Sequence, residues 1–129
     1  MKGTETLATG PDQADARLQG RTYSIPFEDV WQGALRVIRE KSKGWKLDLA
    51  DDQEGVITVD VRGVHARLNG TVEVRIALDA NGQTRVDARA RTPAAFSDFG
   101  VNARRLGHFF RGLDRESERE WQRRQTAGR

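Results

Sequence analysis

Apolar positions along this chain change their spacing several times, and each change marks an element. Residues 21–25 alternate as a short strand, and Pro26 then ends sheet pairing while suiting the first turn of a helix. Phe27, Val30, Trp31, Ala34, Leu35 and Ile38 recur at i, i+3, i+4, i+7, i+8 and i+11, which is one broad stripe of an amphipathic helix. Glu28 and Asp29 in its first turn and Lys41 and Lys43 at its end complement the helix dipole, and Gly44 stops it. Four segments of period two follow. Trp45, Leu47 and Leu49 alternate with Lys46 and Asp48, and Ile57, Val59 and Val61 with Thr58, Asp60 and Arg62. After an irregular stretch at 63–70, Val72, Val74, Ile76 and Leu78 share a face, as do Val86, Ala88 and Ala90, opposite Arg85, Asp87, Arg89 and Arg91. Residues 51–55 read as a turn, and Asn81-Gly82 as a two-residue type I′ turn whose central residues both need positive φ. Residues 93–96 break the last strand, and Ser97 or Asp98 caps a final helix whose inner face is Val101, Leu106, Phe109, Phe110 and Leu113.

The order β-α-β-β-β-β-α predicts a two-layer α+β fold in which an antiparallel meander is covered on one face by two helices. Residues 1–20 hold only Leu7 and Leu18 as sizeable apolar groups, so they read as a flexible leader. Residues 21–113 read as one domain. Residues 114–129 read as a charged helical extension in solvent, with Trp121 its sole large apolar residue and Glu116–Arg119 and Glu120–Arg124 spaced for pairing. With 129 residues, 36% hydrophobic and 32% charged, the chain suits one small core and excludes a membrane protein. No run approaches the roughly 20 apolar residues of a membrane span. The compartment stays open: the cytoplasm as the chain stands, or the cell envelope if a signal segment has been removed.

Charge changes this picture in one place. The net charge is +3, from 22 bases and 19 acids, and the isoelectric point is near 9.8. Residues 100–129 hold eight arginines against four acids, so the basic excess is C-terminal. A nucleic-acid interface along Arg111, Arg115, Arg119, Arg123 and Arg124 is therefore one alternative, although acids interleave with these arginines and only Trp121 offers a stacking ring.

Candidate chemistry is sparse. The absence of Cys excludes disulfides and thiolate metal sites. His65 and His108 lie in separate segments without metal-ligand spacing, so neither a metal nor a cofactor is expected. Ser24, Ser42, Ser97 and Ser117 lack a nucleophile-elbow context, and Asp51, Asp52 and Glu54 fit a solvated turn. Gly100 and Gly107 read as points where the last helix approaches the sheet closely. Phe27, Trp31, Phe109 and Phe110 have the spacing of a filled core, with an apolar pocket as the alternative, since Ala88 and Ala90 leave room opposite them.

The run Thr84-Arg85-Val86-Asp87-Ala88-Arg89, then Ser97-Asp98-Phe99-Gly100-Val101-Asn102 and Arg105-Leu106, resembles the C-terminal signature of the bacterial domain-of-unknown-function family 1499. Residues 26–31 and the Trp45 strand suit that family's opening, so the resemblance spans residues 21–113. Pro93 and Ala95 depart from the family pattern, which has an Arg and a Gly there, and the Cys-containing segment that precedes the domain in many members is missing. The resemblance implies a bacterial protein, envelope-associated in many relatives, with no activity to carry over. Its matched polar residues Arg89, Asp98, Asn102 and Arg105 form either a structural clasp, with Asp98 at the helix start, or a small anion site. The leading functional reading is a non-enzymatic binding or scaffold domain whose partner is a protein or a small apolar ligand. Nucleic-acid binding is second, and an enzyme using a sheet–helix pocket is third.

Overall fold

In a computed structural model describing residues 4–7, 16–92 and 100–127, the alternating segments hydrogen-bond into one antiparallel sheet. The elements in chain order are β1 (Thr4–Leu7), β2 (Ala16–Tyr23), α1 (Phe27–Glu40), β3 (Trp45–Asp51), β4 (Val56–Val61), β5 (Gly70–Leu78), β6 (Thr84–Arg91) and α2 (Val101–Ala127). The strands run β1-β2-β6-β5-β4-β3 across the sheet. Every pairing is antiparallel. Both helices pack on one face and on each other, as the two-layer α+β pattern predicts. Ile57, Val59, Val72, Val74, Ile76, Val86, Ala88 and Ala90 turn inward and are buried. Ala88 and Ala90 lie on β6, against which α2 packs, and Phe109 and Phe110 of α2 are fully buried. Losing either ring would cost about 3–5 kcal/mol.

Four expectations are corrected. The segment read as a leader supplies β1 and most of β2, because β2 pairs along its whole length with β6 and so begins at Ala16. Leu49 does not share the inner face of Leu47. A register shift between Leu47 and Leu49 sets Leu49 opposite outward-facing Thr58, leaving Leu49 exposed, as a bulge in an edge strand does. The β5–β6 hairpin has three loop residues, closed by the Asp79 N–H donating to the Gln83 carbonyl. The Asp79 carboxylate accepts from the Asn81 and Gln83 N–H groups, and Gly82 takes the left-handed conformation, with φ of 76°. The breaker at 93–96 and the caps Ser97 and Asp98 lie outside the described residues.

The fourth correction is the largest. Residues after Asp114 continue α2 without a break, and α2 runs antiparallel along α1 instead of projecting into solvent. The contacts climb the pair turn by turn: Arg124 with Asp29, Ser117 with Gly33, Gly112 with Val37 and His108 with Ser42. Glu116 is 2% exposed, 3.0 Å from Arg119 and 3.7 Å from Arg36 of α1. Asp29, also 2% exposed, accepts a two-pronged bond from Arg124 at 2.6 and 2.8 Å. A further anchor joins β2 to α2. The Tyr23 hydroxyl donates to Asp114 at 2.7 Å and Arg21 donates to its other oxygen at 2.6 Å. Burial, reinforced by Asp114, pushes the Tyr23 phenol well above its ordinary range.

Two glycines explain why the helices can lie so close. A Cβ on Gly33 would sit 2.7 Å from the Ser117 backbone nitrogen, and one on Gly112 would sit 3.0 Å from the Val37 side chain. Gly107 has no such role, since a Cβ there would meet only the flexible end of Arg111 at 3.0 Å. Gly33→Ala is therefore expected to lose about 1–3 kcal/mol in urea unfolding. Gly107→Ala should gain up to about 1 kcal/mol from helix propensity. Equal effects at the two sites would contradict the close-approach account.

Candidate functional site

The irregular stretch between β4 and β5 folds into a tight loop. The Leu68 N–H donates to the His65 carbonyl at 2.9 Å, and the Gly63 N–H donates to the Asn69 side-chain oxygen at 2.9 Å. Gly63 is pressed against Leu68, where an added Cβ would lie 2.5 Å from the Leu68 Cβ. Arg105 of α2 ties this loop to the helix layer. Only 9% exposed, it donates to the Leu68 carbonyl and contacts the Asn102 oxygen at 3.5 Å. Gly70 packs against β6 and Arg105, where a Cβ would run into the Arg91 carbonyl oxygen and come 3.0 Å from the Arg105 Nη1.

Between this loop and the first turns of α2 lies a groove of about 280 Å³. Trp45, Val64, Leu68 and Val101 form its apolar wall, and Arg62, Arg104, Arg105 and His108 contribute its polar groups. Val64 is 92% exposed at the loop tip. Trp45 is fixed from behind by Phe109, stacked at 6.5 Å, and by the edge of His108 at 5.6 Å.

His108 closes the groove against the end of α1. Its Nε2 lies 2.8 Å from the Ser42 hydroxyl, which itself donates to the Val37 carbonyl at 2.7 Å. Which of the Ser42 hydroxyl and His108 Nε2 donates follows the tautomer of the ring. Burial, the Arg111 charge and the Arg115 charge hold the imidazole below its ordinary pKa, opposed by the Lys41 backbone.

The residues singled out by sequence are distributed as follows. Asn102 and Arg105 come together beneath the loop. Arg89 alternates onto the open face of the sheet beside Arg91, Glu73, Thr58 and Asp48, away from α2, and Asp98 lies outside the described residues. Phe27 stacks on Trp31 at 5.8 Å and Phe109 meets Phe110 edge-on at 5.2 Å. Three of these four rings are buried in the core, with Phe27 packed against it. Of the five tail arginines, Arg119 pairs with Glu116, Arg123 with Glu120 at 2.6 Å and Arg124 with Asp29. Arg111 and Arg115 are exposed. His65 is exposed on the loop. Sequence reasoning passed over Trp45, Arg62, Val64, Leu68 and Arg104 as site residues. For Val64 and Leu68 the one signal is the loss of period at 63–70, where Val64, Ala66 and Leu68 sit between Gly63 and Gly70.

An antiparallel sheet with two helices on one face and a groove between a loop and a helix defines the class: a small α+β domain. The chain belongs to the family described as Protein of unknown function (DUF1499), whose model matches residues 4–113. None of the curated proteins compared with the chain matches it. Among solved structures, it is similar to an uncharacterized protein from Bacillus thuringiensis, with 15% identity, 81% of this chain and 98% of that one covered, and a TM-score of 0.57. Protein XoxI from Bacillus cereus shares 14% identity over 92% and 94%, with a TM-score of 0.56. A Nitrosomonas europaea protein shares 14% over 87% and 99%, with a TM-score of 0.55. These likenesses extend to the fold alone. Among the described residues no helix is long and apolar enough to cross a membrane.

The lowered His108 pKa sets the sign of a pH effect. The folded chain favours the neutral ring, so this stabilisation is complete above the unfolded value of about 6.5 and is lost as pH falls below it. Urea midpoints measured from pH 7.5 downward should fall below about 6.5, and His108→Gln should flatten the fall. An identical slope in the variant would rule His108 out as the source.

Proposed function

We propose that this domain binds a small molecule in the groove between the 62–69 loop and α2, seating its apolar part against Trp45, Val64 and Leu68. The observation that carries this reading is an apolar wall held rigid from behind yet open at the front. Arg105 fastens the loop, Phe109 and His108 back the indole, and Val64 stands almost wholly exposed. A volume of about 280 Å³ is close to the lower end, about 300 Å³, of ordinary ligand sites, which favours a compact ligand. The Ser42 hydroxyl is occupied by the end of α1, so the Ser42–His108 contact supports a structural closure of the groove and not a nucleophile. The core rings Trp31, Phe109 and Phe110 are buried.

Titration of ¹⁵N-labelled protein with 4-phenylbutanol tests the reading. Amide shifts are expected at residues 62–68 and 101–108 and at the Trp45 indole, and Val64→Asp should weaken binding about tenfold or more. Shifts absent at millimolar probe, or centred on Trp31 and Phe27, would refute it.

A further inference from the structure

Among the described residues the groove is one-sided in charge: three of its lining residues are arginines and none is an aspartate or glutamate. Several arginines elsewhere are answered by carboxylates: Arg21 with Asp114, Arg36 with Glu40 and Glu120, Arg85 with Asp87, Arg124 with Asp29. Arg62 is not. It follows directly on β4, is exposed, and among the described residues its guanidinium has no hydrogen bond or ion pair, although it borders the apolar wall. Arg104 lines the same groove from α2.

An apolar wall beside an uncompensated guanidinium is complementary to a molecule with the same two parts. We infer that the ligand of this groove is a small amphiphilic carboxylate, its hydrocarbon or aromatic body against Trp45 and Val64 and its carboxylate on Arg62. This inference rests on the reading of the groove as a binding site. Arg62 suits the role because a planar guanidinium meets a carboxylate with two parallel hydrogen bonds. A neutral analogue would keep the apolar contact and lose that pairing. A carboxylate without an apolar body would keep the pairing and lose the wall.

Three probes separate these contributions by calorimetry on the full chain: 4-phenylbutyrate, the neutral 4-phenylbutanol and butyrate. The carboxylate of 4-phenylbutyrate should make it about tenfold tighter than 4-phenylbutanol at low salt, with the advantage shrinking as salt rises. Butyrate should bind weakest. Arg62→Gln, at an exposed position that leaves the fold intact, should abolish the preference for the acid while retaining 4-phenylbutanol binding. Arg75→Gln, on the opposite face of the sheet, should leave the preference unchanged. Equal affinities for acid and alcohol, or a preference that survives Arg62→Gln, would overturn the carboxylate assignment and leave the groove reading standing. Failure of both phenyl probes to bind would overturn the groove reading as well.

Discussion

Gly33 and the Ser117 backbone approach so closely that a single methyl group would not fit between them, and the arrangement of the helix layer depends on that contact. One turn further along, Gly112 accommodates Val37. With the axes held this close, α2 must run the length of α1, which places Arg124 over Asp29 at one end and His108 on Ser42 at the other. The second of those contacts forms the inner end of the groove, because His108 also presses on Trp45. The groove is therefore a consequence of helix packing begun about two turns away.

The carboxylates trapped between the helices give this packing a register. Asp29 and Glu116 are both almost wholly buried, and each reaches an arginine of the other helix. Buried ion pairs add little stability on balance, because desolvation offsets their attraction. Their effect is on alternatives: a slip of one turn would take Asp29 from Arg124, leaving a buried charge unpaired, and would take Glu116 from Arg36, leaving it only Arg119 of its own helix. The glycines permit close approach at many offsets, and the charges select one.

The same pairing explains the protein's arginines. An isoelectric point near 9.8 invites a search for a polyanion along the C-terminal helix. Arg119 and Arg123 pair with acids of their own helix and Arg124 with Asp29 of α1, while Arg111 and Arg115 stand exposed. At Arg62, beside an apolar wall, the fold supplies no such carboxylate among the described residues.

Period-two and period-3.6 patterns by themselves determined the α+β class, the inward faces of β4, β5 and β6, and the core aromatic residues of both helices, because those faces are set by the local geometry of strand and helix. They could not determine where α2 goes after Asp114, since Glu116 and Ser117 are polar and become buried only because α1 offers Gly33 and Arg36 opposite them. Leu49 shows the same limit, its face reversed by a bulge that no alternation announces. The groove was least legible of all. Trp45, Arg62, Val64, Leu68 and Arg104 lie on three separate stretches of chain, and only the tertiary structure brings them together, through a loop whose position is set by Arg105 reaching across to the Leu68 carbonyl.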